Sequence, residues 1–355
     1  MRADVMIQIG LFMAALGKFR KREWFRHFRD RDRMADQPVR SKSVCVRQVA
    51  PLRAMVRRTW TRKILTGRPG RLACRRTCQT LMRFGINTFL FTFPFTNEST
   101  TWFKTFKQWG FDSVEIAIDD PAAIDPAFIR SELDKASLTC CSVCGAFGPD
   151  RDLRGTVEAQ ENSRKYLTDL IDQAVILGAP VVAGPIYSAV GRIGGAEPKE
   201  YQQQWKTVVK NLKPLCKYAA KKGITLCVEP LNRFETDFIN TVEQALKLVN
   251  DVGSPSLKLL LDTFHMNIEE KHQAEAIKKA GRLIGHFHAC GSDRGTPGND
   301  HIAWDTIARA LKAAKYDGGV VIESFTKDVK IIARAAAIWR QIEPSREEIA
   351  TKGLK

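Results

Sequence analysis

The chain has 355 residues, 44% of them apolar, and a formal charge of +17. Length and composition exclude a disordered or fibrous protein and leave one large domain or two ordinary ones. Residues 1–81 hold 21 Lys and Arg against 5 Asp and Glu, a balance of +16, whereas residues 82–355 hold 35 against 34, so the basic excess excludes no function for the body and assigns it none.

Residues 6–17 form an apolar run after Arg2 that loosely resembles a secretion signal and is too short to span a bilayer. The rest of this stretch is arginine-rich, with 17 Arg against 4 Lys, while the body uses 13 Arg against 22 Lys. Such a switch in preference marks residues 1–81 as an extension of different origin. Three readings compete: a start placed upstream of Met82 as the natural first residue, a targeting or surface-binding extension, or a nucleic-acid arm. Each predicts weak packing, because the stretch lacks sustained periodicity.

From Arg83 onward short β-prone runs alternate with longer helical ones. Strands are predicted at residues 84–91, 113–118, 138–146, 180–184, 224–229, 257–262, 283–289 and 319–323. Helices are predicted at residues 100–109, 126–134, 156–177, 199–222, 241–252, 273–280, 304–315 and 329–340. Eight strand–helix units over about 260 residues predict an α/β protein, a (β/α)8 or TIM barrel spanning residues 82–355. The near-continuous apolar strands fit a parallel sheet covered on both faces. A doubly wound open sheet lacks support, since no G-x-G-x-x-G follows the first strand. The glycine-rich run at residues 191–195 does not have the spacing of a phosphate cradle and reads as a mobile loop over the site.

Four consecutive strands end on metal-type groups: Glu229, Asp262, His288 and Glu323. Pro230 stops the ladder directly after the first of them. In such barrels function sits at the C-terminal strand ends, and neighbouring strands about 5 Å apart let four side chains converge on one ion. Three carboxylates and an imidazole suit Mn²⁺, with Co²⁺ or Mg²⁺ as alternatives, better than a thiol-preferring ion.

Five of the six histidines lie between His265 and His301. In G-H-F-H, His286 and His288 share a face; only His288 is at the strand end, so His286 reads as a supporting or barrel-interior group. His265, three residues past Asp262, is expected to look into the pocket. His272 begins a helix and is expected in solvent, and His301 lies in a loop. The nine cysteines are scattered without a disulfide pattern, which favours a reducing, cytoplasmic compartment. Cys141-x-x-Cys144 has no second pair at zinc-site spacing.

The runs V-E-P-L-N-R-F-E-T, L-D-T-F-H-M-N-I-E-E, G-H-F-H-x-x-x-x-x-R and V-x-E-S-F resemble the ketose 3-epimerases, the enzymes of D-tagatose, D-allulose (psicose) and L-ribulose. The likeness runs from about residue 83 to the C-terminus. It implies that Glu229 and Glu323 serve both as ligands and as the paired acid and base that invert carbon 3 of a free ketose through an enediolate. It also implies that Glu235, His265 and Arg294 hold sugar oxygens, with Cys144 and Gly184 at further contact positions. The loop at residues 185–192 lacks the tryptophan of the tagatose-type enzymes and is similar to the L-ribulose branch. The chain ends soon after Glu347 and Glu348, where relatives continue by a helical turn. A homodimer or homotetramer is expected, with no nucleic acid on the barrel and no transmembrane segment. Rival readings are a hydroxypyruvate isomerase or inosose dehydratase of the same superfamily, an endonuclease IV-like enzyme, or a non-catalytic sugar- or nucleic-acid-binding protein.

Overall fold

The structure is a computed structural model that describes residues 82–355; the expectations for residues 1–81 lie outside the described residues. Eight parallel strands close into a barrel in chain order: β1 (Arg83–Asn87), β2 (Ser113–Ile118), β3 (Thr139–Gly145), β4 (Val181–Gly184), β5 (Thr225–Val228), β6 (Leu257–Asp262), β7 (Ile284–Ala289) and β8 (Gly319–Ile322). Pairing of β1 with β8 completes the ring and leaves no edge strand.

The helices follow as α1 (Trp102–Trp109), α2 (Pro126–Lys135), α3 (Val157–Leu177), α4 (Pro198–Lys222), α5 (Val242–Val252), α6 (Thr263–Glu269), α7 (Gln273–Ala280), α8 (Trp304–Ala313), α9 (Lys330–Ala335) and α10 (Arg346–Gly353). Local chemistry sets several of their ends. Thr156 caps α3 and Thr241 forms a capping box with Gln244 on α5. Glycines with left-handed backbone, Gly178, Gly223 and Gly253, stop α3, α4 and α5. The main core lies between the barrel wall and the helices, with residues such as Ile116, Leu167, Leu212 and Phe287. A separate apolar plug of Val181, Ala183, Cys227 and Leu260 fills part of the lumen.

The differences from expectation are local. The first strand ends at Asn87 and gives way to a 3₁₀ turn at Thr88–Leu90, because Asn87 turns its side chain back to accept the Phe89 N–H. The helix expected at residues 329–340 covers only Lys330–Ala335, since Ala337 has a left-handed φ of 54° and Ile338 N bonds back to the Ala333 carbonyl. An additional helix, α6, begins directly at Asp262, whose carboxylate caps it through Phe264 N at 2.6 Å. The loop at residues 191–195 is tied down rather than free: Gly191 N donates to the Glu235 carbonyl at 2.7 Å, and Arg192 forms a bridge with Thr236.

Twice, the pairing register slips by one residue. Between β2 and β3, Val114 faces Cys140 but Glu115 faces Ser142. Between β6 and β7, Leu259 faces Ile284 but Leu260 faces His286. At the second slip an added Cβ on Gly285 would lie 2.5 Å from Cys227 Sγ, so no larger residue fits there.

Gly184 ends β4 with a φ of +128°, and its carbonyl accepts the Glu229 N–H at 3.1 Å. Gly184→Ala forces an L-residue into a region it rarely adopts, and the expected loss is about 1–3 kcal/mol of stability. Urea denaturation of the variant checks this, and an unchanged midpoint would show that the backbone there relaxes freely.

Candidate metal centre

β5 to β8 deliver Glu229, Asp262, His288 and Glu323 to one end of the barrel. Each has a ligand atom within 4.8 Å of the others, and all four side chains are buried. Asp262 closes its strand and His288 is the last residue but one of its own, while Glu229 and Glu323 each lie one residue beyond theirs. Both still hold the ladder through their amides, Glu229 N to the Gly184 carbonyl and Glu323 N to the Ala289 carbonyl at 3.3 Å. The buried Tyr187 hydroxyl lies 2.9 Å from the Glu229 carbonyl oxygen and fixes the backbone from behind.

Two atoms at the centre are buried without a hydrogen-bond partner, Glu229 Oε1 and His288 Nδ1. They are 3.8 Å apart, and His288 Nδ1 is also 3.8 Å from Asp262 Oδ2 and 3.2 Å from Glu323 Oε2. Orphaned buried acceptors are costly, and here they face one another across a common point. The donor set of three carboxylate oxygens and one imidazole nitrogen fits a borderline or hard divalent cation.

Electrostatics agree with that fit. Burial pushes Asp262 up to about 7, with Arg294 pulling against it and Glu323 adding to it. Burial and the facing Glu323 hold Glu229 well above the usual carboxylate range. Burial disfavours a charged His288, yet Glu115 and Glu323 outweigh it and hold the imidazole well above its ordinary value. Burial also raises Glu323, but His288 and Arg294 more than offset this and leave it lowered. Groups placed in this way can hold either protons or a cation.

Beside this cluster opens a cleft of about 490 Å³. Cys144, Glu229, Glu235, His265, Arg294 and Glu323 all line it. Arg294 is held at a left-handed φ of 69°, sandwiched over Phe264 and Phe325. Its guanidinium lies 3.3 Å from both Asp262 Oδ2 and Glu235 Oε1. His265 Nδ1 accepts the Asn232 backbone N–H at 3.0 Å, and its Nε2 lies 3.1 Å from Arg294 Nη2. Burial, with Arg294 adding to it, pushes His265 down to about 3, so it remains neutral in ordinary buffers. Gly184 is absent from the lining; the next residue, Pro185, takes that place.

Other expected positions fall elsewhere. His272 and His301 are exposed, and the latter pairs with Asn267 Oδ1 at 3.1 Å. Cys141 turns to the Val114 carbonyl at 3.4 Å, and no candidate metal cluster among the described residues joins it to Cys144. Residues 191 and 192 line a separate cleft with Asp152, Arg154 and Gln204, away from the metal cluster. Glu115, in the middle of β2, was not singled out from the sequence. The signal was present: one carboxylate inside the apolar run S-V-E-I-A-I must find partners when both faces of the sheet are covered.

A family profile, the xylose isomerase-like TIM barrel, matches residues 103–349. A probable ketose 3-epimerase of Synechocystis sp. is 37% identical over 284 residues, covering 77% of this chain and 95% of that protein. The chain belongs to the ketose 3-epimerase family. A D-psicose 3-epimerase of Enterocloster bolteae is 31% identical, covering 70% of this epimerase and 86% of its own length. Among solved structures, a D-allulose 3-epimerase of Methylomonas sp. in complex with D-allulose superposes with a TM-score of 0.72 at 28% identity, covering 78% of this chain and 96% of that one. Among the described residues of the epimerase, no helix is long and apolar enough to cross a membrane.

Divalent-cation binding is expected to release protons, because the same groups hold either protons or the ion. The affinity for Mn²⁺ therefore rises between pH 6 and pH 8, as Asp262 passes its pKa of about 7. Calorimetric titration at several pH values measures this, and a pH-independent affinity would separate Asp262 from the ion.

Proposed function

We propose that this epimerase inverts carbon 3 of a free ketose by removing a proton from one face and returning it on the other. The observation that carries the reading is the convergence of Glu229, Asp262, His288 and Glu323, with two orphaned acceptors, at the floor of a sugar-sized cleft. Glu229, Asp262, His288 and Glu323 would hold one divalent ion, Mn²⁺ in preference to Co²⁺ or Mg²⁺. Such an ion supplies Lewis acidity that stabilises the enediolate left when the proton beside the ketone departs.

Glu229 and Glu323 are the proton carriers in this reading. Their surroundings push them apart: burial and a facing carboxylate raise Glu229, whereas His288 and Arg294 draw Glu323 down against its burial. A pair split in this way supplies an acid and a base at the same pH. The two roles exchange with the handedness of carbon 3. Arg294, Glu235 and His265 orient the oxygens near carbons 1 to 3. Farther out the cleft wall carries Phe89, Phe147, Phe325 and Ile332 together with the charged Asp119, Asp150 and Arg151. The six cysteines of the described residues are all free and buried, in keeping with a reducing, cytoplasmic setting.

Incubation with Mn²⁺ and a panel of ketoses in D₂O tests the reaction. Deuterium is expected at carbon 3 together with the epimer, and label at carbon 1 would indicate an aldose–ketose isomerase instead. Glu323→Gln is expected to lower turnover by at least about 10³-fold while the far-ultraviolet circular dichroism stays that of the parent. Retained turnover would remove Glu323 from the proton transfer.

A further inference from the structure

Behind the metal cluster, on the side of the barrel that supplies no ligand, Glu115 is completely buried. Its Oε1 accepts from Asn87 Nδ2 at 2.6 Å and lies 2.8 Å from His288 Nε2. Its Oε2 accepts from Ser142 Oγ at 2.5 Å and lies 2.6 Å from His286 Nε2. A carboxylate offers about four lone-pair sites, and each here meets one donor. Charged, it is satisfied; neutral, it would set its own proton against those of its neighbours.

Glu115, His286 and His288 also form a ligand-type group, and their oxygen–nitrogen separations of 2.6 and 2.8 Å are those of hydrogen bonds.

We infer that Glu115 is the positioning residue of the metal centre: by accepting the Nε2–H of His288 it fixes the tautomer whose bare Nδ1 faces Glu229, Asp262 and Glu323. Its reach extends further through Asn87. The two Nδ2 protons of Asn87 go to Glu115 Oε1 and, at 3.2 Å, to Glu323 Oε1, and its Oδ1 is anchored by the Phe89 N–H at 2.8 Å. One carboxylate thus aims the nitrogen ligand directly and one carboxylate ligand through an amide. His286 and Ser142, themselves 3.0 Å apart, hold the opposite oxygen and stop Glu115 from rotating. Histidine ligands oriented in this way by a carboxylate lose affinity for metal when the carboxylate is removed, commonly by 10- to 100-fold.

The inference rests on the metal centre proposed above, and the test separates the two. The full chain, stripped with EDTA, is titrated with Mn²⁺ by calorimetry as wild type, Glu115→Gln, Ser142→Ala and Asp262→Asn. Glu115→Gln is expected to raise the Kd about 10- to 100-fold. Ser142→Ala, which loosens Glu115 without touching His288, is expected to raise it several-fold, and it decides the matter should Glu115→Gln fail to fold by circular dichroism. Nitrogen–proton NMR of His288 in the Mg²⁺-loaded protein adds a readout that a purely structural role would not move: one Nε2–H tautomer in wild type and a mixture in Glu115→Gln. Wild-type affinity and a single tautomer in the variants, with binding lost in Asp262→Asn, would overturn the role of Glu115 alone. No binding even by the wild type would overturn the metal centre as well.

Discussion

Too much negative charge is gathered in too little water at one end of this barrel, and the surrounding structure is organised to tolerate it. Glu115, Glu229, Asp262 and Glu323 are all buried within one lumen. Isolated carboxylates in such a place would cost many kcal/mol each or else protonate. The chain meets the demand with three devices. Glu115 is ringed by four donors, Arg294 is driven among Asp262, Glu235 and Glu323, and the remaining three carboxylates share a point with His288 that only protons or a cation can occupy. The apolar plug below and the aromatic and aliphatic collar around Phe89 and Phe325 keep the dielectric low enough for these groups to act strongly on one another.

Arg294 shows how much fold is spent on one side chain. It occupies a left-handed backbone position, its guanidinium is stacked between Phe264 and Phe325, and its donors reach residues from β6, the loop after β5 and the end of β8. A lysine would keep the charge and lose the planar fork that serves several acceptors together. The same economy applies to Asp262, one oxygen of which caps α6 while the other remains for the centre.

Much of this was legible in the sequence because it obeys short-range rules. Strand ends read from Pro230 and from apolar runs placed Glu229, Asp262, His288 and Glu323 in one ring, and the barrel followed from the count of units. What was not legible depends on contacts between distant strands. Glu115 sits in mid-strand, 173 positions from His288, and nothing local says which partners it finds. Asn87 was read as part of a longer first strand, whereas its side chain ends that strand by bonding its own turn. The glycine run at residues 191–195 looked unrestrained because its anchors, Glu235 and Thr236, arrive from another loop.

The two register slips set a constraint of a different kind. Ser142 and His286 both stand immediately after the extra residue, Cys141 and Gly285 respectively, that breaks the side-to-side alternation of their strands. Upstream of each slip the strand keeps one phase, and downstream it adopts the other. The pairs after each slip do not depend on the extra residue: a strand without it would alternate unbroken from Cys140 opposite Val114 to Ser142 opposite Glu115, and from Ile284 opposite Leu259 to His286 opposite Leu260. Each insertion therefore lengthens its strand without displacing the side chains that hold Glu115. A homologue that lacked both would be expected to keep the barrel and the grip on Glu115 alike, and to give up only the Cys141 thiol and the close approach of Gly285 to Cys227.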